Sequence, residues 1–112
     1  MKASFSELRC KPCEGGVDPI GPTEAAEHLK SMPSWTINES GKEISRKINT
    51  RHFVHAIEKI NAIAELAESE QHHPDLHLTG YRHLTIVLTT HAIGGLSEND
   101  FILAAKIDEI LK

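Results

Sequence analysis

The sequence predicts an α+β fold: a four-stranded antiparallel sheet with three helices packed on one face, in the order α-β-β-α-β-β-α. Three observations predict it. Apolar residues recur at three- and four-residue steps in three stretches and alternate with polar ones in four others. The alternating stretches come as two pairs, each joined by a connection too short for a crossover, so each pair is antiparallel. At 112 residues the chain has room for one domain with a thin core.

The elements follow in order. Residues 1–22 read as an N-terminal arm, and residues 23–112 as a single domain. Thr23 and Glu24 open a short helix with Ala26, Leu29 and Met32 on one side, and Pro33 stops it. Trp35 and Ile37, then Ile44, Arg46 and Ile48, alternate around a Ser40-Gly41 turn and predict a hairpin. A long helix follows, with Thr50 as its N-cap. Phe53, Ile57, Ile60, Ala64 and Ala67 form its stripe, broadened by Ala56 and Ile63. Pro74 disfavours the helical conformation at His73, so this helix ends near Gln71 or His72. Leu76 and Leu78, then Leu84, Ile86 and Leu88, give the second hairpin around Thr79-Gly80. The strand from Leu84 to Thr89 is a candidate edge for pairing across a dimer. After Gly94-Gly95, Ser97-Glu98-Asn99-Asp100 has the spacing of a capping box. The last helix buries Phe101, Ile102, Ala105, Ile107 and Ile110-Leu111.

Composition narrows the function. Charged residues make up 25% and hydrophobic ones 39%, an ordinary globular balance that argues against wholesale disorder. The net charge is -4 and no lysine or arginine run occurs, which disfavours direct nucleic-acid binding. No apolar stretch approaches the ~20 residues of a membrane span. The first residues lack the apolar core of a secretory signal, so the expected compartment is internal, the cytoplasm or an organelle. Both cysteines lie in the arm as Cys10-Lys11-Pro12-Cys13, followed by a glycine- and proline-rich loop rather than a helix. Structural zinc would need four ligands and no second pair exists, so zinc here would have to be shared between two chains. The simpler reading is a mobile or loosely docked arm.

Chemistry concentrates in "ESEQHHPDLHL", residues 68–78, and in Thr90-His91 beyond the second hairpin. Glu68 precedes His72 by one helical turn, and the returning hairpin can bring His91 back to His72 and His73. Histidine titrates near neutrality, so one ring donates a proton while another accepts. A nearby carboxylate fixes a ring's tautomer. An elimination of water needs such an acid and such a base. Each residue also has a plainer use. His72 and His73 can complement a helix dipole, His91 can be an ordinary strand-end residue, and Asp100 can be a helix cap. The His-x-x-x-His spacing of a helical zinc site is missing from this stretch, and no metal is expected. His52, His55, His77 and His83 read as surface or structural, and Trp35 and the Phe53 stripe as core.

Glu68-x-x-x-His72-His73-Pro74-Asp75, then Tyr81, then "TTHAIGGLSENDFILAAKID" resembles the pterin-4a-carbinolamine dehydratase family, in particular its plant, protist and bacterial branch. Leu76-His77 stands where animal members carry an aromatic pair. The resemblance implies dehydration of 4a-hydroxytetrahydropterin to quinonoid dihydropterin, recycling the cofactor of aromatic amino acid hydroxylases. It implies His72 and His91 as the acid/base pair, His73 binding and polarising the pterin, and Glu68 orienting the histidines. Pterin contacts would come from His72, His73, Pro74, Thr90, His91, Ala92, Ile93 and Asp100. No cofactor is implied, because the pterin is the substrate. A homodimer or homotetramer is implied as the assembly. The competing reading is a non-catalytic partner on the same fold, a transcriptional coactivator or a Rubisco assembly factor.

Overall fold

In the computed structural model, which describes residues 5–11 and 18–112, the chain forms α1 (Pro22–Leu29), β1 (Thr36–Ile37), β2 (Ile44–Asn49), α2 (Phe53–Glu70), β3 (Asp75–Thr79), β4 (His83–Leu88) and α3 (Glu98–Leu111). Single 3-10 turns stand at Phe5–Glu7 and His91–Ile93. The order α-β-β-α-β-β-α is the one the periodicities predict. Several boundaries shift by one to three residues, and α1 ends at Leu29, before Met32 and Pro33. Gly21 is the N-cap of α1, with Pro22 pre-set for the first turn. His52 is the N-cap of α2. Thr50 instead donates its hydroxyl to the Arg82 carbonyl at 2.9 Å.

The sheet runs β1-β2-β4-β3, with every neighbouring pair antiparallel. This corrects the expectation that the Leu84–Thr89 strand is an edge: β4 has a partner on each side, and β1 and β3 are the edges. The reason is burial. Leu84, Ile86 and Leu88 are wholly excluded from solvent, and each such side chain contributes roughly 1.5–3 kcal/mol when fully covered. A central strand covers them best.

Those three residues meet Ile44 of β2, Ile63 of α2, and Phe101, Leu103 and Ile107 of α3 in one core, with Trp35 and Met32 at its margin. The Trp35 indole N–H donates to Asp108 Oδ1 at 2.8 Å, and Arg46 pairs with the same oxygen. Two expected core stripes are rotated. In α1, Ala25 is buried and Ala26 is exposed. In α2 the buried line is Ala56, Ile63 and Ala67, while Phe53, Val54 and Ile57 stay 53%, 64% and 37% exposed and Ala64 is exposed as well. Alanines let α2 approach α3 closely, whereas Phe53 and Ile57 lie on a neighbouring line that stays exposed. The opposite sheet face presents Lys47, Asn49, Asp75, His77, Thr79 and His83, all exposed.

Candidate active site

The site begins with a register. Asp75 of β3 pairs with Val87 of β4, and the strands are antiparallel. Residues just before Asp75 therefore run beside residues just after Val87, so His72-His73-Pro74 comes alongside Leu88–Thr90. Gln71 makes the entry: it takes a left-handed conformation (φ 55) as the C-cap of α2, and its backbone N–H bonds to the Ala67 carbonyl. At the exit, Gly94 also turns left-handed (φ 69), and Thr90 bridges to Gly95. That loop delivers Ser97 to the start of α3.

Asp100 is the hub. It is fully buried in the first turn of α3. Its Oδ1 lies 2.6 Å from His72 Nε2. Its Oδ2 accepts from the Thr90 hydroxyl at 2.8 Å and from the Ser97 backbone N–H at 2.9 Å. The Thr90 and Ser97 hydroxyls lie 2.7 Å apart. The capping-box spacing thus forms the box expected of it, and the same carboxylate also holds a histidine. The capping reading of Asp100 thus holds, and the cap's carboxylate is also the partner of His72. Both of its oxygens are engaged and none of its surface is exposed.

An ionised carboxylate has no proton to give, so Nε2 of His72 is the donor in that bond. That bond holds the ring with Nε2 toward Asp100, which leaves Nδ1 on its other side.

His73 behaves differently. Its Nε2 meets Glu68 Oε2 at 2.8 Å, with side chains 58% and 71% exposed. Glu68 was expected one turn behind His72, on its side. The left-handed turn at Gln71 breaks that helical relation and hands Glu68 to His73. A pair so exposed to solvent orients more than it stabilises.

His91 follows Thr90 directly, so chain connectivity ties it to the Asp100 cluster. Its exposed side chain lines an open cavity of about 290 Å³ with Asn38, Ser40, Lys42, Glu43, Thr89 and Gly94. His72 and His73 are not among the residues lining that cavity. Ala92 is exposed and Ile93 half-buried within the same 3-10 turn, and Pro74 is half-buried.

The sequence left the surroundings of Glu70 unread. Glu70 closes α2 and is buried. Its Oε1 accepts from the Cys10 N–H at 2.8 Å, and its Oε2 meets Arg9 at 2.9 Å and Lys106 at 3.7 Å. Burial works to raise its carboxyl, but the Cys10 amide and the charges of Lys106 and Arg9 outweigh this and hold it below the usual carboxylate range. Burial pushes the Cys10 thiol up to about 12, helped by the negative charge of Glu70. Residues 9–11 are thus docked, not loosely held. Cys13 lies outside the described residues. Among the described residues no group of three or more His, Cys, Asp or Glu is gathered for a metal ion.

The chain is similar to known proteins over most of its length. The family model described as pterin 4 alpha carbinolamine dehydratase matches residues 18–110. A Halorhodospira halophila protein, provisionally named a pterin-4-alpha-carbinolamine dehydratase, is 41% identical over 96% of this chain and 97% of its own. A Rickettsia bellii protein with the same provisional name is 45% identical over 96% and 95%. A crystal structure of a transcriptional coactivator/pterin dehydratase from Brucella melitensis superposes with a TM-score of 0.79 at 25% identity, covering 85% of this chain and 100% of the other. Matched by the family model over residues 18–110 and by these relatives over nearly its whole length, the chain belongs to the pterin-4a-carbinolamine dehydratase family, a family of lyases.

Proposed function

We propose that this protein dehydrates 4a-hydroxytetrahydrobiopterin to quinonoid dihydropterin by histidine general acid/base catalysis, and so returns the pterin cofactor to aromatic amino acid hydroxylases. The observation that carries this is the hydrogen-bonded chain from His72 to the buried Asp100 and Thr90, with His91 next to Thr90. In the reaction the C4a–O bond breaks and N5 loses a proton. One imidazole protonates the departing hydroxyl, and the other accepts the N5 proton. His72, its tautomer fixed by Asp100, and His91 are the pair. His73, oriented by Glu68, binds and polarises the ring. Pro74 and the Thr90–Ile93 backbone hold the heterocycle.

The protein works as a homodimer or homotetramer, in the cytoplasm or an organelle. The exposed Phe53, Val54 and Ile57 and the unpaired edge of β3 support association. No described helix is long and apolar enough to cross a membrane.

The test is direct dehydration of synthetic carbinolamine, scored against its uncatalysed rate. His72→Ala and His91→Ala should each lower kcat/KM by about 10²-fold or more, the usual contribution of a positioned acid or base. Unchanged rates in both variants would remove the catalytic assignment. A protein partner bound in fixed stoichiometry, with no pterin turnover, would favour the coactivator role that the Brucella protein's name also carries.

A further inference from the structure

The arm segment Arg9–Lys11 bridges the two helix ends that the His72–Asp100 bond spans. On one side, Glu70 is the last residue of α2, two positions before His72, and it holds the Cys10 N–H and the Arg9 side chain. The Arg9 guanidinium also reaches the Ser69 carbonyl at 3.4 Å. On the other side, Asn99 lies directly before Asp100 in the first turn of α3. Its side-chain amide pairs with the Lys11 backbone in both directions: Oδ1 accepts the Lys11 N–H at 2.9 Å, and Nδ2 donates to the Lys11 carbonyl. The Cys10 thiol adds a contact to the Asn99 carbonyl at 3.7 Å. Lys106, also on α3, closes the loop back to Glu70 at 3.7 Å.

We propose that Lys11, Asn99 and Glu70 are positioning residues: the N-terminal arm acts as a strap that fixes the end of α2 against the start of α3, and so sets the contact between His72 and Asp100. A 2.6 Å bond between groups on two separate elements depends on their separation. Asn99 and Glu70 are both buried, and neither the helix pattern nor the capping box requires them. A carboxylate and an amide of this kind are kept dry where they serve a partner, and the arm supplies a partner to each.

The strap is tested in the full-length protein with Lys11→Pro and Asn99→Ala. Lys11→Pro removes the donated N–H at a surface position and leaves α3 unaltered. Asn99→Ala removes the other half of the pair. The first readout needs no pterin: solvent exchange of the His72 ring N–H, followed by NMR, against that of slow core amides. Exchange should quicken at least tenfold at His72 in both variants, with core amides unchanged. The second readout rests on the proposed dehydratase activity: kcat should fall about tenfold with KM within twofold, since small misplacements of a catalytic group are costly. Lys30→Ala, at an exposed surface pair, should leave both readouts as they are. Unchanged His72 exchange in both variants would overturn the strap. So would exchange that rises equally at His72 and at the core amides, because that reports stability alone. If the wild-type protein shows no dehydratase activity, the function falls while the exchange comparison still decides the strap.

Discussion

Both oxygens of Asp100 are occupied, one by His72 and the other by Thr90 and Ser97. A carboxylate can do this because it is acceptor-only with two equivalent oxygens. An amide cannot: one end would present N–H groups either to His72 Nε2 or to the Thr90 and Ser97 donors. Asp100→Asn should therefore destabilise the fold by about 1–3 kcal/mol, the cost of a buried group left without its partner. Urea unfolding measures that. The same variant should lose dehydratase activity beyond what its unfolded fraction explains, because the His72 tautomer is no longer fixed. Glu68→Gln, in an exposed pair, should change stability by less than about 1 kcal/mol. The contrast between these two acids was only half legible. The spacing from Ser97 to Asp100 announced a cap, and the His-His-Pro run announced a site. Which acid serves which histidine depends on the Gln71 backbone, and no local preference of glutamine foretells a left-handed turn there.

At the scale of elements, α2, α3 and the arm meet at Glu70. Its carboxyl is held below its ordinary value of 4.5 despite burial. A folded-state value below the unfolded one means that the group adds stability above the unfolded value. That contribution is lost as pH falls below about 4.5 and through the folded value. Acid should thus release the arm, and Glu70→Gln should flatten that part of the stability–pH curve in thermal melts. Cys10 reports the same docking from the other side. Its thiol is raised to about 12 from an ordinary 9.0, so at neutral pH it should be alkylated slowly. Replacing Glu70 with Ala removes both the negative charge and the amide acceptor that hold it, and Cys10 should then react at least about tenfold faster. Peptide mass spectrometry separates Cys10 from Cys13 in that measurement. The glycine- and proline-rich loop after Cys13 suggested a mobile or loosely docked arm. It gave no sign of docking, because the partners, Glu70 and Asn99, lie far along the chain and match no motif with it.

For the whole molecule, one sheet face is packed and the other is open and polar, while α2 keeps Phe53, Val54 and Ile57 toward solvent. Three adjacent apolar residues at the start of one helix are costly to leave wet. Val54→Glu should therefore shift sedimentation toward a smaller species than the wild-type assembly, with little change in the circular dichroism of the folded chain. A wild-type protein already monomeric at micromolar concentration would count against assembly through this face.

The sequence by itself determined the element order, the two hairpins, the capping box and the residues from which a site could be built, because periodicity and turn chemistry are local properties. It also carried the family resemblance, since motif spacing lies along the chain. Only the tertiary structure decided which helical line faces the core, that β4 is central rather than an edge, that Asp100 serves His72 while Glu68 serves His73, and that residues 9–11 are docked. Each of these depends on which distant segment fills the space beside a residue. That choice is made by packing the whole core at once, not by the preferences of any stretch within it.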